Sequence, residues 1–166
     1  MDLRDNPALA GLNDTQIENL AAAATAIELK AGATVVREGE PNDDLFLFGA
    51  GRFRVEAGGQ KLAVLEAPCV IGEMELLTGG APAATVTAMD ACTGHRLAYA
   101  DLRHRIADGD LASLRLVYNV AVVVARRLTV LDERVAQMHD QLDGAAAVAS
   151  KKDLQQLRAK LFGEWA

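Results

Sequence analysis

Apolar residues recur at steps of three and four without a miss in the last third of this chain, at Leu114, Val117, Ala121, Val124, Leu128, Leu131, Val135, Met138 and Leu142. A strand alternates its faces every second residue, so this spacing belongs to a helix carrying a heptad seam. The helical pattern starts at residue 111 and runs to about 149, weakened at Gly144, which sets a long helix over 111–144. From Leu114 to Leu142 the seam spans about 42 Å at 1.5 Å per residue, longer than a small domain can cover. Its first turns are expected to pack on the chain's own domain and its later half against a second copy in a parallel homodimer. Ala121 permits close helix approach, and Arg126, Arg127, Glu133 and Arg134 flank the seam where charge pairs set register.

The stretch before that helix has another texture. Residues 12–27 place Leu12, Ile17, Leu20 and Ala23 at helical spacing, with Asp14 or Thr15 as a cap. From 28 to 99 come short β-branched or aromatic pieces at 34–36, 45–48, 53–55, 63–65, 85–88 and 96–99. Turns built on Gly39, Pro41-Asn42-Asp43, Gly49, Gly51 and Gly58-Gly59 separate them. Evenly spaced short strands predict a barrel or sandwich over residues 1–110. The segment GEMELLTGG, 72–80, predicts a helical turn or two framed by glycines. Residues 145–166 end in a short amphipathic helix whose Leu154, Leu157, Leu161 and Trp165 share a face.

With 166 residues, 51% hydrophobic and 24% charged, one packed core is expected and disorder throughout is excluded. The net charge is −6, with nine Lys/Arg against seventeen Asp/Glu in residues 1–110 and eight against six in 111–166. A presumed pocket domain at −8 argues against a general electrostatic hold on nucleic acid or an anionic membrane. The first ten residues lack the pattern of a signal peptide and no run of about 18 apolar residues exists, so a cytoplasmic protein with free thiols is expected. Cys69 and Cys92 read as small buried hydrophobes. Neither they nor His95, His104 and His139 have metal-ligand or haem spacing, and no metal or other cofactor is expected. No G-x-S-x-G, P-loop or comparable arrangement of nucleophile and base is present, so the chain does not read as an enzyme.

Three stretches carry a family likeness. ELKAGATVVREGEPNDDLFLFGAGRFRV (28–55), IGEMELLTGGAPAATVTA (71–88) and ARRLTVLDERV (125–135) resemble, in order, the opening strands, phosphate-binding cassette and connecting helix of the cyclic-nucleotide-binding domain. That domain occurs in catabolite activator proteins, kinase regulatory subunits and gated channels. The resemblance covers about residues 9–142. It implies an α+β fold: a cyclic-nucleotide-binding-type β-roll, a jelly-roll barrel, with an N-terminal helix, a short cassette helix and a long C-terminal dimerisation helix. Such a cassette offers unpaired helix N–H groups to a cyclic phosphate, with one arginine to neutralise it.

Laid on the family pattern, Gly72 and Glu73 match the cassette glycine and the ribose-binding glutamate, followed by Met74, while Ala83, Ala84, Thr85 and Val86 run into the closing strand. The family's Pro-Arg pair falls on Ala81-Pro82, which puts a proline without charge or N–H donor at the phosphate arginine. Glu75 stands where the family uses Ala or Ser, and like charges there cost on the order of 1 kcal/mol or more. The adenine-contacting Thr-Ser of the bacterial activators falls on Leu131-Asp132. A lost charge-assisted contact costs about 1.5–3 kcal/mol, one to two decades in affinity. Arg52, Arg54 and Arg96 sit on neighbouring strands, from which one could still reach the pocket.

The resemblance therefore implies a degenerate ligand pocket in a stand-alone regulatory or adaptor protein that acts through homodimerisation and protein contacts. The alternative is a sensor that still binds cyclic AMP, cyclic GMP or another small metabolite. The activators' DNA-reading module needs roughly 60 further residues, and 145–166 hold one helix, so direct DNA binding is not expected. That last helix either folds back on its own domain or presents Leu154, Leu157, Leu161, Phe162 and Trp165 to a protein partner.

Overall fold

The computed structural model describes residues 3–142, with the backbone alone for residues 3, 134 and 137–142. Contacts divide the chain into a first unit ending at Val124 and a second starting at Ala125. The first begins with two 3-10 turns, Leu3–Asp5 and Pro7–Leu9. Asn6, 1% exposed, caps the second by accepting from the Ala8 N–H, while its amide donates to the carbonyls of Phe48 (3.1 Å) and Cys69 (2.9 Å). One side chain thus ties the N-terminus to two strands. Helix α1 (Asp14–Ala23) is capped by Asn13, one residue before the nearer expected cap, and the side chains of Asn13 and Gln16 form a reciprocal capping box.

The eight strands are β1 (Thr25–Leu29), β2 (Thr34–Val36), β3 (Asp44–Ala50), β4 (Arg52–Ala57), β5 (Gln60–Glu66), β6 (Cys69–Ile71), β7 (Thr85–Ala88) and β8 (Cys92–Ala98). They form two antiparallel four-stranded sheets, in the orders β1-β8-β3-β6 and β2-β7-β4-β5. Helix α2 (Glu73–Thr78) lies between β6 and β7, α3 (Tyr99–Ala107) follows β8, and α4 (Leu111–Leu142) closes the described chain. The helix expected over 12–27 stops at Ala23, because 25–29 pair with β8 as a strand. Tyr99, expected to end a strand, instead opens α3.

Two apolar clusters fill the first unit. Val36, Phe46, Phe48, Phe53, Ile71, Val86 and Ala88, with the free thiols Cys69 and Cys92, pack inside the roll. Leu9, Ile17, Leu20, Leu45, Leu47, Leu97, Leu102, Leu116 and Val120 join the helices to the outer face of the β3 sheet. Strand β3 supplies both, Leu45 and Leu47 to the helix side and Phe46 and Phe48 to the interior, by the period-two alternation of a pleated strand.

Asp110 caps α4, accepting from the Ala112 N–H (3.0 Å) and the Ser113 hydroxyl (2.8 Å). Its first turns bury Ala112, Leu116 and Val120, and the Asn119 amide donates to the carbonyls of Ala8 and Ala10. Val117 packs partly on that core, whereas Leu114 is 44% exposed and Ala121 is exposed, so the roll takes a row of its own beside the heptad. In the second unit Leu128, Leu131 and Val135 are exposed. The side chains of Met138 and Leu142, and all of Leu154, Leu157, Leu161, Phe162 and Trp165, lie outside the described residues. Among those described, no helix is long and apolar enough to cross a membrane.

Leu116 is fully buried and Tyr118, two residues on, is 63% exposed. Leu116→Ala is expected to cost about 2–5 kcal/mol in urea denaturation, while Tyr118→Ala at low protein concentration changes stability by under about 0.5 kcal/mol.

His95 gives a pH dependence. It lies on β8 opposite Leu47 and Ala26, its Nδ1 buried without a hydrogen-bond partner among the described residues, against Leu9, Ile17, Leu20, Leu47 and Leu97. Burial holds its pKa below the ordinary value. The unfolded imidazole takes a proton below about pH 6.5 and the folded one resists until lower pH, so stability is lost as pH falls from about 6.5 through the folded value. Stability measured from pH 7 down to about 5 should therefore fall more steeply for the wild type than for His95→Leu, and parallel curves would refute this.

Candidate functional site

The cassette hangs from Gly72, the residue after β6. Its φ is +88°, and a Cβ there would meet the Asp44 carbonyl oxygen at 2.4 Å and the Asn42 Nδ2 and Tyr99 Oη at 3.0 Å, so glycine is required by conformation and by space. The Tyr99 hydroxyl donates to the Gly72 carbonyl. Asn42 Nδ2 donates to Tyr99 Oη (2.8 Å) and to the Asp44 carbonyl (2.8 Å). The turn 41–43, the cassette and α3 are thereby joined by one polar network.

Helix α2 is flanked by Gly72, which makes no side-chain cap, and by Gly79, whose N–H donates to the Glu75 carbonyl (2.8 Å). Its burial is reversed from the usual order. Glu73 and Glu75 are 7% and 6% exposed, whereas Met74 and Leu77 are 47% and 41% exposed. Burial pushes the Glu75 carboxyl above the ordinary range against a hydrogen bond from Asn42. The Tyr99 phenol is pushed well up by burial and then by the charges of Glu75, Glu73, Asp44 and Asp43. This corner of the molecule is an acidic well.

Beyond α2, Pro82 is buried, its carbonyl accepting from the Gly39 N–H (2.9 Å), and Ala83 is exposed. Thr85 Oγ1 accepts from the Glu38 N–H (3.0 Å), which fixes the start of β7 beside the turn after β2. Gly72, Glu73, Met74 and Glu75 thus share one turn, with Pro82, Ala83 and Thr85 on the segment leading into β7. Leu131 and Asp132 are exposed on the part of α4 in the second unit.

The three arginines that could substitute for a cassette arginine are engaged elsewhere. Arg52 Nε lies 2.7 Å from Asp90, Arg54 Nε 3.1 Å from Glu56 and Arg96 Nη1 3.5 Å from Asp44. The hydrogen bond from the Arg52 side chain holds Asp90 below the usual carboxylate range. His104 is exposed, its Nδ1 3.4 Å from Asp108.

Asn42 and Tyr99 were not visible as site residues in the sequence. Asn42 read as turn chemistry and Tyr99 as strand, and their hydrogen bond spans 57 residues. The only local hint is the asparagine in the turn, whose Oδ1 accepts from the Asp44 N–H (3.3 Å) as such turns favour.

The sequence profile of the family described as cyclic nucleotide-binding domain matches residues 26–108, from β1 through α3. The chain belongs to this family. The catabolite activator protein of Thermus thermophilus superposes over 80% of this chain and 62% of its own, with a TM-score of 0.67 at 24% identity. The N-terminal domain of a transcriptional regulator from Streptomyces coelicolor covers 80% of this chain and 94% of its own, with a TM-score of 0.62 at 29% identity. Glutaminase 1 of Bradyrhizobium diazoefficiens is 32% identical over 135 residues, 81% of this chain and 22% of that relative's length. The two sheets, the cassette helix and the long last helix are therefore a cyclic-nucleotide-binding β-roll.

Tyr99→Phe leaves the Gly72 carbonyl and the Asn42 amide each short of a partner in a buried place. It is expected to lower stability by about 1–3 kcal/mol in urea denaturation with the far-UV circular dichroism unchanged.

Proposed function

We propose that the chain is a non-catalytic regulatory or adaptor protein of the cytoplasm whose cyclic-nucleotide pocket is degenerate, and that it works through a homodimer and protein contacts. The observation that carries this reading is the missing positive charge at the cassette. Proline occupies the arginine position, Arg52, Arg54 and Arg96 are each paired with a carboxylate, and Glu73 and Glu75 are buried. A cyclic monophosphate entering there meets acid rather than base. The likeness to part of a glutaminase and to part of a transcriptional regulator supports a module that regulates what it is joined to or bound by.

Dimerisation is assigned to the heptad of α4, where Leu114, Ala121, Leu128, Leu131 and Val135 are exposed, with Val117, Val124, Met138 and Leu142 completing the seam. Protein docking is assigned to Leu154, Leu157, Leu161, Phe162 and Trp165. The second reading, a sensor for a cyclic nucleotide, rests on the retained Gly72 backbone and on Glu73 in the matching place.

Two measurements test the proposal. Calorimetry with cyclic AMP and cyclic GMP should show binding no tighter than about millimolar, and micromolar binding would establish the sensor instead. Analytical ultracentrifugation should give a dimer for the wild type and a monomer for Leu131→Glu with its circular dichroism retained. A wild-type monomer would remove the dimer from the proposal.

A further inference from the structure

Beside the cassette is a cavity of about 210 Å³, lined by residues 41–43, by Glu75 and 79–81, and by Tyr99 and Arg103 of α3. It shares Glu75 and Ala81 with the cassette, but none of Gly72, Glu73, Pro82, Ala83 or Thr85 lines it, so it adjoins the cradle in which the family would hold a cyclic phosphate. Its volume is below the roughly 300–1,000 Å³ of pockets that take drug-sized ligands. An occupant is accordingly smaller than a nucleotide.

The charges of the wall define the occupant further. The Glu75 carboxyl, 6% exposed, meets the Asn42 amide and no cation within ion-pair distance among the described residues. Asp43 and Arg103 also form no ion pair among the described residues. The cavity therefore has an acidic wall and one guanidinium that do not neutralise each other. A simple anion would answer Arg103 but meet Glu75 and Asp43, and a simple amine would answer the acids but meet Arg103. A metal ion is disfavoured because no group of three or more His, Cys, Asp or Glu side chains among the described residues is placed to hold one. A molecule carrying both charges satisfies both walls.

We infer that this cavity binds a small zwitterionic amino acid, its ammonium on Glu75 and Asp43 and its carboxylate on Arg103. Tyr99 and Asn42, joined to Gly72 and Asp44, complete the lining. An occupant would bridge α3 to the cassette helix, so its binding stiffens the segment that carries Gly72. The inference shares Glu75 with the degenerate-cassette reading, and the cyclic AMP arm of the test separates the two.

The test uses the full chain and free glycine, L-alanine, L-serine and L-glutamine at millimolar concentration in thermal unfolding, with ethylamine and acetate as single-charge probes and cyclic AMP as a separate arm. At least one amino acid should raise the midpoint more than either single-charge probe. Calorimetry with that amino acid should show about tenfold or greater weakening in Arg103→Gln and in Glu75→Gln. Arg103 is exposed, so its variant keeps the readout even where Glu75→Gln unfolds. No shift with any amino acid, an equal shift with ethylamine or acetate, or affinity unchanged in Arg103→Gln would overturn the inference. A response to cyclic AMP that survives Arg103→Gln would overturn only the degenerate cassette.

Discussion

Strand β3 is buried on both faces, and the placement of the site follows from that. Leu45, Phe46, Leu47 and Phe48 are all 8% exposed or less, and alternate residues serve different cores. A slip of one residue would exchange leucines for phenylalanines across the sheet, so both clusters hold the register. With that register, Phe46 pairs with Ile71 at the end of β6, and Asp44 pairs with Ala98 at the end of β8. The next residues on those two strands are Gly72 and Tyr99. The cassette and α3 therefore leave the sheet beside the same end of β3, and this brings the tyrosine hydroxyl onto the glycine carbonyl.

That convergence sets the electrostatics of the site. Asp43 and Asp44 come from the chain entering β3, Glu73 and Glu75 from α2, and all four act on the phenol of Tyr99. A phosphate-binding cassette needs this neighbourhood to be offset by a fixed cation. Arg96, on β8, is held by Asp44 on β3 at 3.5 Å, and Arg52 and Arg54 answer carboxylates on or beside their own sheet. A guanidinium already committed to a carboxylate must give up that contact before it can serve a ligand. The frame of the family is kept, and the three strand arginines nearest to it are each held by a carboxylate.

The parts of the fold readable from the chain were those with a local signal. The strands β2 and β7 and the helix α2 fall where β-branched runs and flanking glycines place them, and the long helix follows from its heptad. Strand β1 was hidden because it follows an alanine run of high helix propensity. Only pairing with β8 makes it a strand. Helix α3 carries too short a pattern to separate from the strand before it, and its first residue is the tyrosine whose role is tertiary. Within the site, Gly72 and Glu75 were legible as positions in a motif. Asn42 and Arg103 were not, because what they do is defined by a cavity assembled from three distant segments.

The long helix answers two demands with different rows of residues. At about 100° per residue, Ala112, Leu116 and Val120 form one narrow row, the one buried in the first unit. Leu114 stands about 200° from Leu116, nearly opposite, and Ala121 follows it one heptad on. Val117 lies between the rows and is partly covered by the core. The roll thus accounts for one side of the helix and leaves the leucine-bearing side unmet. Isolated exposed leucines are ordinary on a protein surface, but Leu114, Ala121, Leu128 and Val135 at heptad spacing form an exposed row that water disfavours along its length. The burial of one row and the exposure of the other give physical content to reading this helix both as part of the β-roll and as a surface for a partner helix.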